Sequence, residues 1–129
     1  MLALSTDLNN ARLQLIGEAV NGGHIQFYSG ERPLDLAEVT KQTLLLSLAL
    51  PSPCYQQIAD GVMTMQNLDE AMLLATGQLS WARLLKPTGE IAGDLDVSGV
   101  NGNGDLKLPI ESTQVYQGAY LRLSDWAIV

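Results

Sequence analysis

The run from Gln78 to Val97, QLSWARLLKPTGEIAGDLDV, constrains the fold of this chain more than any other stretch, because it spells out two strands and the turn between them. Its second half alternates: Ile91, Leu95 and Val97 fall on one side with Gly93 among them, while Glu90, Asp94, Asp96 and Ser98 fall on the other. Alternation with period two marks an antiparallel strand with one dry and one wet face. Between the arms, Lys86-Pro87-Thr88-Gly89 puts a proline at turn position i+1 and a glycine at i+3. A hairpin is therefore predicted over 78–98, with the carboxylates of its second strand in solvent.

A single helix is predicted over 5–20. Ser5 or Thr6 can accept from the free N–H groups of the first turn, and Asp7 suits the positive end of the helix dipole. Leu8, Ala11, Leu15, Ile16, Ala19 and Val20 recur at helical spacing and form one apolar stripe. Asn21-Gly22-Gly23 ends the helix with residues tolerant of positive φ. Gly17 weakens its middle by about 1 kcal/mol relative to alanine. The helix packs on its own sheet or against a neighbouring subunit, and the first is favoured.

The rest reads as strands. His24–Ser29 is short and aromatic, 30–42 is a loop with one helical turn, and Thr43–Leu50 is an apolar strand ended by Pro51-Ser52-Pro53. Tyr55–Ile58 and Val62–Gln66 flank Ala59-Asp60-Gly61, a hairpin turn. Asn67–Glu70 reads as turn, and Ala71–Ala75 as strand or helical turn. Leu106, Leu108 and Ile110 share a strand face. In a last strand over 116–129 the apolar positions change phase, Leu121 and Leu123 being odd and Trp126 and Ile128 even, so a β-bulge is predicted near Ser124-Asp125. About seven to nine short strands joined by turns imply a mainly β fold. The expected architecture is an antiparallel β-sandwich or jelly-roll in one domain over 1–129, with the helix in 1–22 and the strands in 24–129.

At 129 residues the chain is long enough for one adequate core, and a hydrophobic fraction of 47% argues against disorder. Its longest apolar run, Leu44–Leu50, is too short for a bilayer span, and no basic n-region opens a signal peptide, so synthesis in the cytoplasm is expected. Fourteen acidic residues against seven basic ones give a net charge of −7, which argues against a nucleic-acid partner. Cys54, the single cysteine, rules out an internal disulfide. The single histidine, His24, stands about thirty residues from it, so a buried thiol is expected rather than a nucleophile.

The remaining constellations read as structural. Asn101-Gly-Asn103-Gly-Asp105, with Asp94 and Asp96 before it, resembles the opening of a calcium loop. Glycine, however, stands at loop position four rather than six, and Ser112 occupies position twelve with Glu111 one residue early. Glu90, Asp94 and Asp96 could supply a carboxylate pair, yet a solvated strand face leaves nothing to raise an acid's pKa. There is no G-x-S-x-G elbow, P-loop, dinucleotide fingerprint or zinc spacing. Trp81, Trp126, Tyr28, Tyr55, Tyr116 and Tyr120 could stack on sugar rings, but Trp81 shares a face with Leu79 and Leu85 and Trp126 with Ile128, which suits core anchors. Arg83, on the same side as Trp81, is expected at the sheet margin, paired with a carboxylate, or stacked on the indole.

The succession QFYSGERP (26–33), TLLLSLALP (43–51) and ATGQLSWARLLKPTGE (75–90) resembles small structural proteins, decoration or accessory, of tailed phages and prophages. The pattern is an N-terminal helix, a Tyr-x-Gly-x-x-Pro segment, a leucine-rich strand and a Thr-Gly-x-x-x-Trp-x-Arg strand leading to a glycine turn. Tyr28, Gly30, Pro33, Gly77, Trp81, Arg83 and Gly89 match it, while PSPCYQQIADG replaces the Gly/Ala-rich segment usual after the second strand. The resemblance implies a non-enzymatic virion protein made in the host cytoplasm, a capsid-decoration or head/tail accessory protein binding a repeating protein lattice. It implies no catalytic residues. A homo-oligomer, trimer or dimer, is the default for such a part, and many copies add avidity. No cofactor, metal, nucleic acid, membrane or small-molecule substrate is expected. Leu2, Leu4 and Leu8 are the candidate intersubunit patch, because the first two precede the helix and need cover. The alternatives are a carbohydrate-binding sandwich for host adhesion, which needs two aromatics exposed on one surface, and an enzyme, which needs a cleft with perturbed carboxylates or His24.

Overall fold

The computed structural model describes residues 3–129. It is mainly β, with one N-terminal helix and a large mixed sheet. In chain order the elements are α1 (Thr6–Val20), β1 (His24–Ser29), β2 (Thr43–Ala49), β3 (Tyr55–Ala59), β4 (Val62–Met65), β5 (Leu68–Met72), β6 (Gly77–Gln78), β7 (Trp81–Leu85), β8 (Ile91–Ser98), β9 (Leu106–Lys107), β10 (Gln114–Val115), β11 (Tyr120–Leu123) and β12 (Ala127–Ile128). Eight strands form one sheet in the order β2-β1-β7-β8-β9-β12-β4-β3, and β10-β6 and β11-β5 form two-stranded ribbons beside it.

β8 joins the two halves of the sheet. Most of its length pairs antiparallel with β7 across the predicted turn, where the Gly89 N–H bonds to Lys86 O at 2.8 Å and Gly89 has φ +93°. Its last residues, Val97 and Ser98, pair instead with β9, in parallel. A parallel pair normally needs a connection of about a dozen residues or more. Here 99–105 suffices because its glycines let the chain double back on its own backbone. A Cβ on Gly104 would lie 2.7 Å from Ser98 N, and one on Gly99 would lie 2.3 Å from Ile110 O.

The helix begins as expected, with Ser5 as N-cap accepting from Leu8 N at 3.2 Å. It packs on its own chain, against β3, β4 and β8. The face it buries shares only Ile16 and Val20 with the predicted stripe. Leu13, Gly17 and Val20 are buried and Ile16 is half-buried, whereas Leu8, Ala11, Leu15 and Ala19 are exposed. Gly17 explains the choice, since a Cβ there would stand 2.7 Å from the Tyr55 ring and 3.1 Å from Met63 Sδ. The glycine that lowers helix propensity lets the helix settle onto β3 and β4. Asn10 adds a fixed contact on this side, its Oδ1 accepting from Gly61 N at 2.9 Å in the β3–β4 turn, where Asp60 and Gly61 have positive φ.

Three further expectations are corrected. Asn67–Glu70 is not a turn, because β5 runs through Leu68–Met72 and pairs with β11. The first hairpin arm is split, Gly77–Gln78 pairing with β10 before β7 begins at Trp81. The phase change near Asp125 is a turn between sheets rather than a bulge within a strand. Asp125 has φ +54°, β11 belongs to the β5 ribbon, and β12 lies between β9 and β4. Both sets of apolar residues still reach the core, with Leu123, Trp126 and Ile128 buried.

Replacing Gly17 by leucine, a better helix former, separates propensity from packing. The variant is expected to lose about 1–3 kcal/mol through overpacking against Tyr55. Urea unfolding checks this, and stability at or above wild type would show that the close approach is not required.

Candidate functional site

The residues singled out around the hairpin form one buried cluster. β1 lies between β2 and β7, so Gln26 stands opposite Arg83 and Tyr28 opposite Trp81. Across β7–β8, Arg83 stands opposite Asp94 and Trp81 opposite Asp96. The outer face of these strands is not open to water, because residues 30–42 lie over it as a strap. Arg83 Nε and Nη2 donate to the two oxygens of Asp94 at 2.8 and 3.0 Å, and Nη2 also donates to Ala37 O of the strap at 2.8 Å. The side chains of this pair are only 6% and 3% exposed. Placing Asp94 on a solvated face is therefore corrected, whereas Glu90 and Asp96 are exposed as expected: alternation identifies the face, and the strap dries it at Asp94. The Asp94 hydrogen bond pushes the guanidinium pKa up, against the opposing effect of burial.

The aromatic part of the cluster locks the same strands. Tyr28 and Trp81 stack with centroids 4.5 Å apart at 13°, and the Arg83 guanidinium lies 5.3 Å from the Trp81 ring centre. Arg83 thus pairs with a carboxylate and meets the indole at once. The Tyr28 hydroxyl donates to Gln26 Oε1 at 3.0 Å, and burial raises its pKa. Trp81 Nε1 is buried and has no hydrogen-bond partner among the described residues. The strap bends through Asp35 and Leu36, with φ of +53° and +60°. The left-handed region costs a residue such as leucine about 1–2 kcal/mol. This bend brings Ala37 O to the buried guanidinium, and an exposed Arg32–Asp96 pair at 3.6 Å adds a second tie.

This cluster offers little chemistry. Both oxygens of Asp94 are engaged by Arg83, and Asp105 accepts from Asp96 N at 3.2 Å, so the carboxylates near the Asn101–Asp105 loop do not converge. Among the described residues no group of three His, Cys, Asp or Glu side chains is placed to hold a metal ion. Cys54 is fully buried, its N–H bonded to Asn21 Oδ1 at 2.9 Å and its thiol set against Gly17 O at 3.5 Å, and burial pushes the thiol pKa up. His24 is exposed at the start of β1.

The surface is more informative. Of the proposed patch, Leu2 lies outside the described residues, Leu4 is half-buried ahead of the N-cap, and Leu8 is 54% exposed on the outer side of α1. Leu15, assigned to the core by periodicity, is 69% exposed on that same side. Beside it runs a groove of about 360 Å³ between α1 and β8. A second group of exposed apolar residues belongs to the β5–β11 ribbon and to the segments that follow β5 and precede β11. There Met72 stands opposite Tyr120, and Leu74 and Tyr116 are also exposed. Both tryptophans are fully buried, Trp126 in the core with Nε1 donating to Gln66 O at 2.9 Å and Trp81 beneath the strap outside that core, whereas Tyr116 and Tyr120 are 62% and 65% exposed. Sequence periodicity missed the outward leucines because α1 carries apolar residues on two faces. Comparison of the chain with protein-family models, with curated proteins and with solved structures finds no match.

Arg83→Ala leaves Asp94 buried and unpaired and is expected to cost about 3–5 kcal/mol, more than replacing both members by apolar residues. Urea unfolding of Arg83→Ala and of Arg83→Met/Asp94→Leu checks this, and equal losses would overturn it. Cys54 is expected to resist a thiol reagent at pH 8 in the native protein and to react fully in denaturant. Stoichiometric native labelling would contradict its burial.

Proposed function

We propose that this chain is a non-enzymatic structural protein of a tailed-phage or prophage virion, a capsid-decoration or head/tail accessory protein that associates with its own copies and binds a repeating protein lattice. The observation that carries the reading is where the large apolar side chains lie. Leu8 and Leu15 stand out from α1, and Met72, Leu74, Tyr116 and Tyr120 from the β5–β11 ribbon and the segments that follow β5 and precede β11. Exposed apolar surface of this kind marks protein–protein contact, and tyrosine and methionine are enriched in interface cores. The polar residues that the phage-like motifs share, Tyr28, Trp81 and Arg83, are consumed in holding strands and strap together, which suits a structural part. A net charge of −7 disfavours a nucleic-acid partner, and no helix among the described residues is long and apolar enough to cross a membrane.

The second reading is a carbohydrate-binding module for host adhesion, and it rests on Tyr116 and Tyr120, because exposed rings can stack on sugar faces.

In solution the protein is expected to form a dimer or trimer, measured by light scattering over a concentration series. Particles purified from induced cultures of its host are expected to carry it in many copies per particle. Absence from particles would overturn the virion reading. Glycan-array binding abolished by Tyr116→Ala and Tyr120→Ala would establish the second reading in its place.

A further inference from the structure

We propose that the outer side of α1, together with the groove over Gly93, docks a second copy of this chain with the two α1 helices parallel. The inference rests on the self-association proposed above and specifies its surface. Leu8, Ala11 and Leu15 are spaced three and four apart, the a-d-a spacing of a heptad seam, and all three are exposed. Contact with the chain's own sheet uses the opposite side, Leu13, Gly17 and Val20, so the seam has no intramolecular partner among the described residues.

The flanks of the seam carry the orientation. Asp7 takes the g position and Arg12 the e position five residues on. In a parallel helix pair the g residue of one copy faces the following e residue of the other, which sets Asp7 against the partner's Arg12. In an antiparallel pair each flank meets the same flank of the partner, and that complementarity is lost. Charge pattern therefore selects a second copy of this chain, and a parallel one, as the occupant.

Two turns of seam are less than the roughly 800 Å² per partner that a stable interface buries. The groove extends the surface. Leu15, Ile16 and Ala19 line it on one side, and Ala92, Gly93 and Leu95 of β8 on the other. Gly93 leaves its floor open, since a Cβ built there meets nothing within 4 Å. The groove borders the Leu15–Ala19 stretch of the helix, so a partner helix lying on the seam would present side chains to it. Because α1 is already folded against its own sheet, docking carries no helix-nucleation cost.

The test is light scattering and sedimentation of the full chain and of four sets of variants. Leu8→Glu/Leu15→Glu alters only exposed side chains and is expected to give a folded monomer whose thermal melt no longer depends on concentration. Gly93→Val suits a strand and fills the groove, and is expected to weaken association by tenfold or more, about 1.4 kcal/mol, without loss of stability. Asp7→Arg and Arg12→Asp are each expected to weaken it, and the double exchange to restore it. Leu8→Cys is expected to form a disulfide between copies on oxidation. A wild-type monomer at every concentration would overturn both this inference and self-association. Oligomers that survive Leu8→Glu/Leu15→Glu and Gly93→Val would overturn this surface while leaving self-association standing. Cross-links that form only between Leu8→Cys and Leu15→Cys would overturn the parallel arrangement. Should Leu8→Glu/Leu15→Glu unfold, Gly93→Val and the charge exchange decide.

Discussion

The ion pair between Arg83 and Asp94 is the constraint around which the rest of this structure is arranged. Two opposite charges taken out of water carry a desolvation cost that only close geometry and further hydrogen bonds can offset. Here the offset is a two-point contact across adjacent strands, a third bond to Ala37 O, and an indole beneath the guanidinium. The third bond has the longest reach. It requires 30–42 to lie over the sheet, and that segment bends through two consecutive residues of positive φ to meet it. Once the strap lies there, Tyr28 and Trp81 are covered, and the sheet's other side is left for α1.

A good part of this was legible in the residues. β1 has the bounds expected of it, the Lys86–Gly89 turn closes as its proline and glycine require, and Ser5 caps the helix. Such features depend on local chemistry, which neighbouring residues fix. The misreadings share a different cause. Alternation along β8 shows which side chains lie together, but whether their face is wet depends on a segment some fifty residues earlier in the chain. Likewise α1 has two faces able to pack, and the wider apolar one lost because Gly17 and Asn10 fit β3 and β4 more closely. In the closing segment, Ser124-Asp125 shows a change of phase equally in a bulged strand and in a chain changing sheets. The buried pair itself was foreseeable only as one of several fates for Arg83.

The division of labour that results is plain. Arg83 and Asp94 are spent inside, in hydrogen bonds that tie neighbouring strands and the strap together, while His24, Glu90 and Asp96 stay at the surface. Of the apolar residues left outside, Leu34 and Leu36 lie on the strap and Ile91 and Val100 at the ends of β8, while the others group on α1 and around the β5–β11 ribbon. A domain with two such surfaces can engage a like copy with one and a different protein with the other. Under the proposed function, copies linked in this way would bind a repeating surface more tightly than any one contact allows.

The placement of the tryptophans has an optical consequence. Trp81 lies in the half of the sheet beneath the strap, stacked on Tyr28, whereas Trp126 lies in the other half, its indole bonded to Gln66 O. Each half therefore contains one tryptophan in a dry and chemically distinct setting. The tryptophan emission of the folded chain is a sum of two local signals, and single replacements of either indole would let each half be followed by itself.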